Sequence, residues 1–277
     1  MKTNEPDTLE PDQAPGETSL VGDPRSDQPA SDGEVPGNGV SLYFSPGQRP
    51  SAETIAALLE QSSGAIMARI SHRPPDRDGW LELLASGLTF DLLGLAPALP
   101  SLPPISVQTH GFDQAPRMEG LEGIDLLPGG HIAGGAGLAP IIRTQAGLAA
   151  SLALKLPVAA VGWQSARTLM EPRYFAQIVV NWLAGGTFPA LGLTALLRGQ
   201  DGSIATRGLA RFVGSEMQLE GSVEETPADT LKLAIRVVDY LVRQGPLTET
   251  REIESPRGRL LLEASQARRQ LWVWRQR

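Results

Sequence analysis

The stretch at 226–246, TPADTLKLAIRVVDYLVRQGP, carries every local signal of a single helix. Thr226 stands at the N-cap, Pro227 fits the first helical position, and Asp229 completes a Thr-x-x-Asp capping pattern. Gly245 and Pro246 then end the helix. Its apolar residues recur at helical spacing and form one stripe: Leu231, Ala234, Ile235, Val238, Leu241 and Val242. The stretch predicts an amphipathic helix whose apolar side covers another element.

Short apolar runs on both sides of this helix predict strands. Segments 188–197 and 204–213 are joined by Gly199-Gln-Asp-Gly202, a hairpin signal, and 216–220 alternates polar and apolar residues. Segments 260–262 and 271–274 predict two strands at the end of the chain. The last third is thus predicted to be a hairpin-rich sheet with a helix.

The earlier part of the chain mixes helices and strands in the same way. Predicted strands are 40–44, 65–70 and 158–163; segment 88–95 is an apolar run, and 105–109 could form a further strand. Predicted helices run from Ser51 to near Gly64, over 138–154, and from Pro172 to Leu183. Because the order is not a strict β-α-β alternation, we predict an α+β fold: mainly antiparallel sheets with helices packed on one face. Residues 39–277 form one domain in this interpretation, with 39–165 and 166–277 as two similar halves.

Charge separates the first 38 residues from the rest. They hold nine acidic and two basic residues, which together equal the whole formal net charge of −7 of the 277-residue chain. With few large aliphatic residues, this segment cannot bury enough apolar surface to fold, so 1–38 is predicted to be a disordered acidic tail. The interpretation that we favour is a solvating tail; the alternative is an arm that contacts a basic partner or the basic C-terminal segment.

Composition excludes several classes of function. The chain has no cysteine, which excludes disulfides, a thiolate nucleophile and cysteine-bound metals. Residues 39–277 are formally neutral, so nucleic-acid binding is not expected. The longest apolar stretch, 146–163, is interrupted by Lys155 and Pro157, so no membrane span is expected either. With no secretory signal pattern, we predict a cytoplasmic protein.

The second half of the chain resembles a known bacterial family over about 130–264. The resemblance is carried by Ala160-Val-Gly-Trp-Gln-Ser165, Phe175, Gly185-Gly-Thr-Phe-Pro189, Asp201-Gly202, Thr206-Arg-Gly-Leu209 and Phe212-Val-Gly-Ser-Glu216. These residues are similar to the family named domain of unknown function 4261. They are mainly turn glycines and core positions, so the resemblance implies a fold and no catalytic residues. The chain departs from the family where Gly134 and Gly135 follow His131.

The C-terminal segment is the candidate partner-binding site. Five residues near the end of the chain combine arginine with tryptophan: Arg268, Arg269, Trp272, Trp274 and Arg275. In a strand the two tryptophans point to the same face. They either pack under a helix, which is the plainer interpretation, or bind a partner protein, with nucleic-acid stacking as a third alternative. If this strand lies at a sheet edge, it offers a pairing surface.

A second candidate site lies in 110–137. His110 and Asp113 have an H-x-x-D spacing, and Glu119, Glu122 and Asp125 follow. Next comes a glycine-rich loop with Gly130, His131, Gly134 and Gly135, which could hold an anion at a helix N-terminus. The loop lacks a phosphate-binding motif and the acids lack metal-ligand spacing, so a flexible connector and surface residues are the plainer interpretations.

Two functions follow from these observations. The first is a cytoplasmic protein-binding or adaptor module without catalytic activity or cofactor, since no GxSxG, HExxH or comparable motif is present. The alternative is a hydrolase or metal-dependent enzyme that uses 110–137. For that alternative, a histidine and at least two of the acids must meet in one pocket.

Overall fold

The structure is a computed structural model that describes residues 37–61, 68–75, 78–103, 106, 108–256, 258–267 and 269–276. These residues belong to one compact unit. Of the predicted acidic tail, residues 1–36 lie outside the described residues, as do the predicted helix end near Gly64 and the first residues of the strand predicted at 65–70.

The first sheet has eight strands in the described part of the chain, in the order β2-β3-β4-β6-β1-β7-β8-β5. The strands are β1 (Val40–Phe44), β2 (Ala68–His72), β3 (Trp80–Ala85), β4 (Leu88–Leu93), β5 (Gln108–His110), β6 (Glu122–Pro128), β7 (Ala160–Trp163) and β8 (Thr168–Met170). All neighbours run antiparallel except β5 and β8. This sheet draws its strands from residues 40–170, and β1 lies near its middle.

The second sheet has six strands among the described residues, in the order β12-β13-β14-β11-β10-β9. They are β9 (Ala195–Arg198), β10 (Ile204–Arg207), β11 (Glu216–Leu219), β12 (Arg251–Ser255), β13 (Gly258–Ala264) and β14 (Gln270–Arg275). Only β11 and β14 pair in parallel. Both sheets are thus mostly antiparallel, as expected for the predicted α+β class.

Four longer helices and two single turns accompany the sheets in the described residues. They are α1 (Ala52–Glu60), α2 (Ala139–Lys155), α3 (Pro172–Leu183), α4 (Ala190–Leu193), α5 (Ala210–Val213) and α6 (Pro227–Gln244). Helix α2 packs on β1, β4 and β6 and along α3, while α6 packs on β10. One continuous apolar core joins both sheets to these helices.

The best predicted elements carry clear end signals. Helix α6 begins after Thr226, whose hydroxyl accepts from the Asp229 amide at 3.2 Å, and it ends at Gly245. Ser51 caps α1 in the same way, accepting from Thr54. The turn at Gly199–Gly202 joins the antiparallel strands β9 and β10 as predicted. Local capping and turn chemistry made the positions of these elements predictable from the sequence.

Two predicted strands are wrong over part of their length. Segment 188–197 holds the turn α4 before β9, and 204–213 ends in the turn α5 after β10. Strands β3, β6, β8 and β12 were not predicted at all. In β6, Gly123 interrupts the run of strand-forming residues in the sequence. A glycine is needed there because Gly123 lies beside Tyr43 of the neighbouring strand β1.

A glycine lies on each side of the Tyr43 ring in the first sheet. A Cβ atom on Gly123 would lie 2.9 Å from Tyr43 Cε1, and one on Gly162 would lie 2.9 Å from Tyr43 Cε2. Tyr43 is 1% exposed, and its hydroxyl makes no hydrogen bond of normal geometry with the described residues. Burial raises the pKa of Tyr43 well above its usual range. The ring therefore depends on the absence of side chains at both neighbouring positions.

Among the described residues, no helix combines the length and the apolar character that crossing a membrane requires.

Candidate functional site

The two C-terminal tryptophans lie side by side on the surface of the second sheet. Their rings stack with centroids 5.6 Å apart and planes 14° apart. Trp272 is half-buried and Trp274 is 37% exposed, whereas Leu271 and Val273 of the same strand point into the core. The two tryptophans share one face of β14, as the sequence predicted, and that face is the outer one, whereas the favoured interpretation placed the pair under a helix. No helix in the described residues covers the pair.

Strand β14 lies inside the sheet and not at its edge. It pairs with β13 on one side and β11 on the other, so its backbone groups are already used. The pairing surface considered for an edge strand is therefore absent here. What β14 offers instead is the side chains on its outer face, where the register places Glu263 opposite Trp272. The Trp274 indole N–H donates to Glu263 Oε2 at 3.0 Å.

The three predicted arginines have different surroundings. Arg269 is exposed at the beginning of β14. Arg275 pairs with Glu225, with Nη1 to Oε1 at 2.5 Å and Nη2 to Oε2 at 2.9 Å. Since the Glu225 side chain is only 5% exposed, this ion pair ties the end of β14 to the segment before α6. Arg268 lies outside the described residues.

The structure does not bring the predicted histidine and carboxylates together. His110 lies on β5, four strand positions from β6, which is about 19 Å across the sheet. It stacks on Tyr174 at 6.3 Å, and burial lowers its pKa. On β6, Glu122 pairs with Arg49 at 2.9 Å, which lowers the pKa of Glu122.

The remaining acids of this region are dispersed. Asp125 accepts hydrogen bonds from Ser41 and Ser101, both at 2.5 Å. Asp113 and Glu119 are exposed on the loop between β5 and β6. Within the ranges that the structure describes, no three His, Asp or Glu side chains form a group that could hold a metal.

The glycine-rich loop forms a tight connection between β6 and α2. Gly129 O accepts from Ile132 N, and Gly135 N donates to Ile132 O, so the amides of Ile132 and Gly135 are used by internal hydrogen bonds. Gly130, His131 and Gly134 are exposed, and none of them, nor Gly135, lines the cavity found nearby. Only the end of this loop, Gly137, borders that cavity.

This cavity has a volume of about 270 Å³ and lies among α2, α3, α6 and the turn α5. Its lining includes three aromatic residues, Trp182, Phe188 and Phe212, and the charged residues Arg143, Asp239 and Arg243. These positions are far apart in the sequence. Phe188 and Phe212 belong to the runs that carry the family resemblance, and Gly137 ends the glycine-rich loop, but no sequence pattern indicated that they meet in one cavity.

Arg211 is a buried cation in the described part of the chain, with only 7% of its surface exposed. Its guanidinium lies over Trp163, 4.7 Å from the ring centre, and Nη2 donates to Asn38 O at 2.8 Å and to Gln145. Its Nε and Nη1 have no partner in the described residues, and burial lowers the pKa of Arg211 to about 10. The side chain is enclosed by protein, so we interpret it as a structural cation of the core.

Comparison of the chain with protein-family models, with curated proteins and with solved structures finds no match in any of the three.

Proposed function

We propose that this chain is a cytoplasmic protein-binding module and that its binding surface is the outer face of β14. The observation that carries the proposal is the stacked Trp272–Trp274 pair, which faces solvent on an uncovered sheet surface. Tryptophan is the residue most enriched at the energetic centres of protein interfaces. Trp274 is exposed and Trp272 half-buried, and neither packs against the apolar core of the described residues, so a partner that removes the pair from water would gain from its burial.

The charges around the pair indicate the chemistry of the partner. Glu263 is exposed beside both tryptophans, and Glu252 and Glu254 lie on the neighbouring strand β12. Arg259 approaches both β12 acids, at 3.8 and 4.0 Å, but Glu263 has no cationic partner in the described part of the chain. A lysine or arginine on an apolar segment of the partner would contact an indole face and the Glu263 carboxylate together. The partner that we propose is therefore a protein segment with apolar and basic side chains.

The test compares a double variant with a matched control. Trp272→Ser with Trp274→Ser removes the pair, and Leu154→Ser with Val180→Ser removes two other exposed apolar side chains, which are 58% and 51% exposed. We expect affinity purification from the native cell to recover one protein with the wild type and the control but not with the tryptophan variant.

Reconstitution then decides whether the contact is direct. With both proteins purified, we expect saturable binding that Glu263→Gln weakens and that the tryptophan variant loses. The proposal is refuted if no protein depends on the tryptophan pair for its recovery, or if the purified pair binds equally well without the tryptophans. Membership of the family of domain of unknown function 4261 stays part of this proposal, supported by the turn and core residues given above.

A further inference from the structure

The cavity among α2, α3 and α6 combines an aromatic lining with charged side chains, and none of its lining residues belongs to β13 or β14. Its floor is made by Trp182, Phe188 and Phe212, which pack edge to face with ring centres 4.8–6.2 Å apart. Trp182 and Phe188 are 7% and 3% exposed, so the floor is firmly held by the core. A rigid aromatic floor favours a flat or compact apolar group as the occupant.

Arg143 supplies a fixed positive charge at the rim. Its guanidinium stacks over Trp182, 5.0 Å from the ring centre, and Nη2 donates to the Leu183 carbonyl at 3.0 Å. These two contacts hold the planar group in one place, yet no carboxylate in the described residues pairs with it. An arginine held in this way has further N–H donors available and loses little freedom when it binds an anion.

The other charges of the cavity leave a net positive balance. Arg243 pairs with Asp239 at 3.0 Å, and Asp239 also accepts from the Phe188 amide at 2.8 Å. The only carboxylate in the lining is thus already neutralised by groups of the protein. The amino end of α2, which has no acidic residue in its first turn and no side-chain cap, adds positive partial charge beside Gly137 and Ala139.

We propose that this cavity binds a small apolar carboxylic acid, with the carboxylate on Arg143 and an aryl or branched alkyl body on the aromatic floor. A carboxylate matches the planar guanidinium in two parallel hydrogen bonds. The volume of about 270 Å³ is just below the usual range of ligand pockets, so the body is about the size of one ring. Inorganic phosphate would meet the charge but would leave the aromatic floor uncovered.

The experiment titrates the full chain with probes of matched shape, by calorimetry or NMR at low salt. Phenylacetate and 3-phenylpropionate carry both features, phenylacetamide lacks the charge, and inorganic phosphate lacks the apolar body. We expect the two acids to bind at one site with a Kd below about 1 mM, and the amide and phosphate to bind at least about tenfold more weakly.

Two variants place the site on the structure. Arg143→Met keeps an unbranched side chain on Trp182 but removes the charge, and we expect it to weaken acid binding at least about tenfold. Arg173→Met, an exposed position on α3, is the matched control and should leave binding unchanged. The comparison of acid with amide on the wild type needs no variant, so it stands even if Arg143→Met fails to fold.

Several results would overturn the inference. They are no acid binding up to about 10 mM, equal binding of acid and amide, phosphate binding as tight as that of the acids, and acid binding that Arg143→Met leaves unchanged. Each would show that the aromatic floor and Arg143 do not act together on one ligand.

Discussion

Replacing Gly162 by alanine tests the close packing around Tyr43. The new Cβ would lie 2.9 Å from Tyr43 Cε2 and 3.3 Å from its hydroxyl oxygen. Because Tyr43 is only 1% exposed and enclosed by its neighbours, the ring has little room to move away. Overpacking of this kind costs about 1–3 kcal/mol. Alanine also lowers the entropy of the unfolded chain, which stabilises by about 0.4–1 kcal/mol at a permitted backbone conformation.

The net expectation for Gly162→Ala is a loss of about 0–2.6 kcal/mol, with the centre of that range near 1.3. For a chain of this size each kcal/mol lowers the melting temperature by about 2–4 °C. Urea denaturation followed by circular dichroism measures the free energy directly. Gly130→Ala is the control, since a Cβ there would meet nothing within 4 Å, and it should not destabilise.

A second background makes the test decisive. Tyr43→Val removes the ring and is itself expected to cost about 3 kcal/mol. In that background the clash is gone, so Gly162→Ala should become neutral or stabilising, because only the unfolded-state effect is left. The reasoning is refuted if Gly162→Ala costs the same free energy with and without the Tyr43 ring.

Three further predictions concern charged and titratable groups. Arg275→Met should lower the free energy of unfolding by about 3 kcal/mol in urea denaturation, because the buried Glu225 carboxylate loses its cation; unchanged stability would contradict the role given to this pair. Arg211→Met should lower the free energy of unfolding by about 1–3 kcal/mol, because Gln145 and the Asn38 carbonyl lose their donor. A more stable variant would show that Arg211 destabilises the fold. Burial lowers the pKa of His110 in the folded state, so the unfolded chain binds the proton more readily and stability should fall as the pH drops below about 6.5. His110→Phe, which keeps an aromatic ring on Tyr174, should remove that part of the pH dependence. Parallel profiles of unfolding free energy against pH for both proteins would contradict a contribution from His110.

The candidate surface was partly predictable. The sequence Leu-Trp-Val-Trp at 271–274 places both tryptophans on one face of a strand, and the structure has them there. Whether a helix covers that face depends on which side of the sheet α6 packs, and no local pattern in β14 contains that information. The residues of the cavity were not predictable at all, because Arg143, Trp182 and Phe212 meet only through the packing of three separate elements.

Local chemistry in the sequence determined where α6 and α1 begin, where the β9–β10 hairpin turns, and that the two tryptophans of β14 share a face. These features depend on caps, turns and periodicity within a few residues. Tertiary structure alone decided that β14 lies inside the sheet, that Gly123 belongs to a strand, and that His110 and Glu122 are far apart. The reason is that strand order and close packing depend on neighbours distant in sequence, whose positions are set only when the whole core assembles.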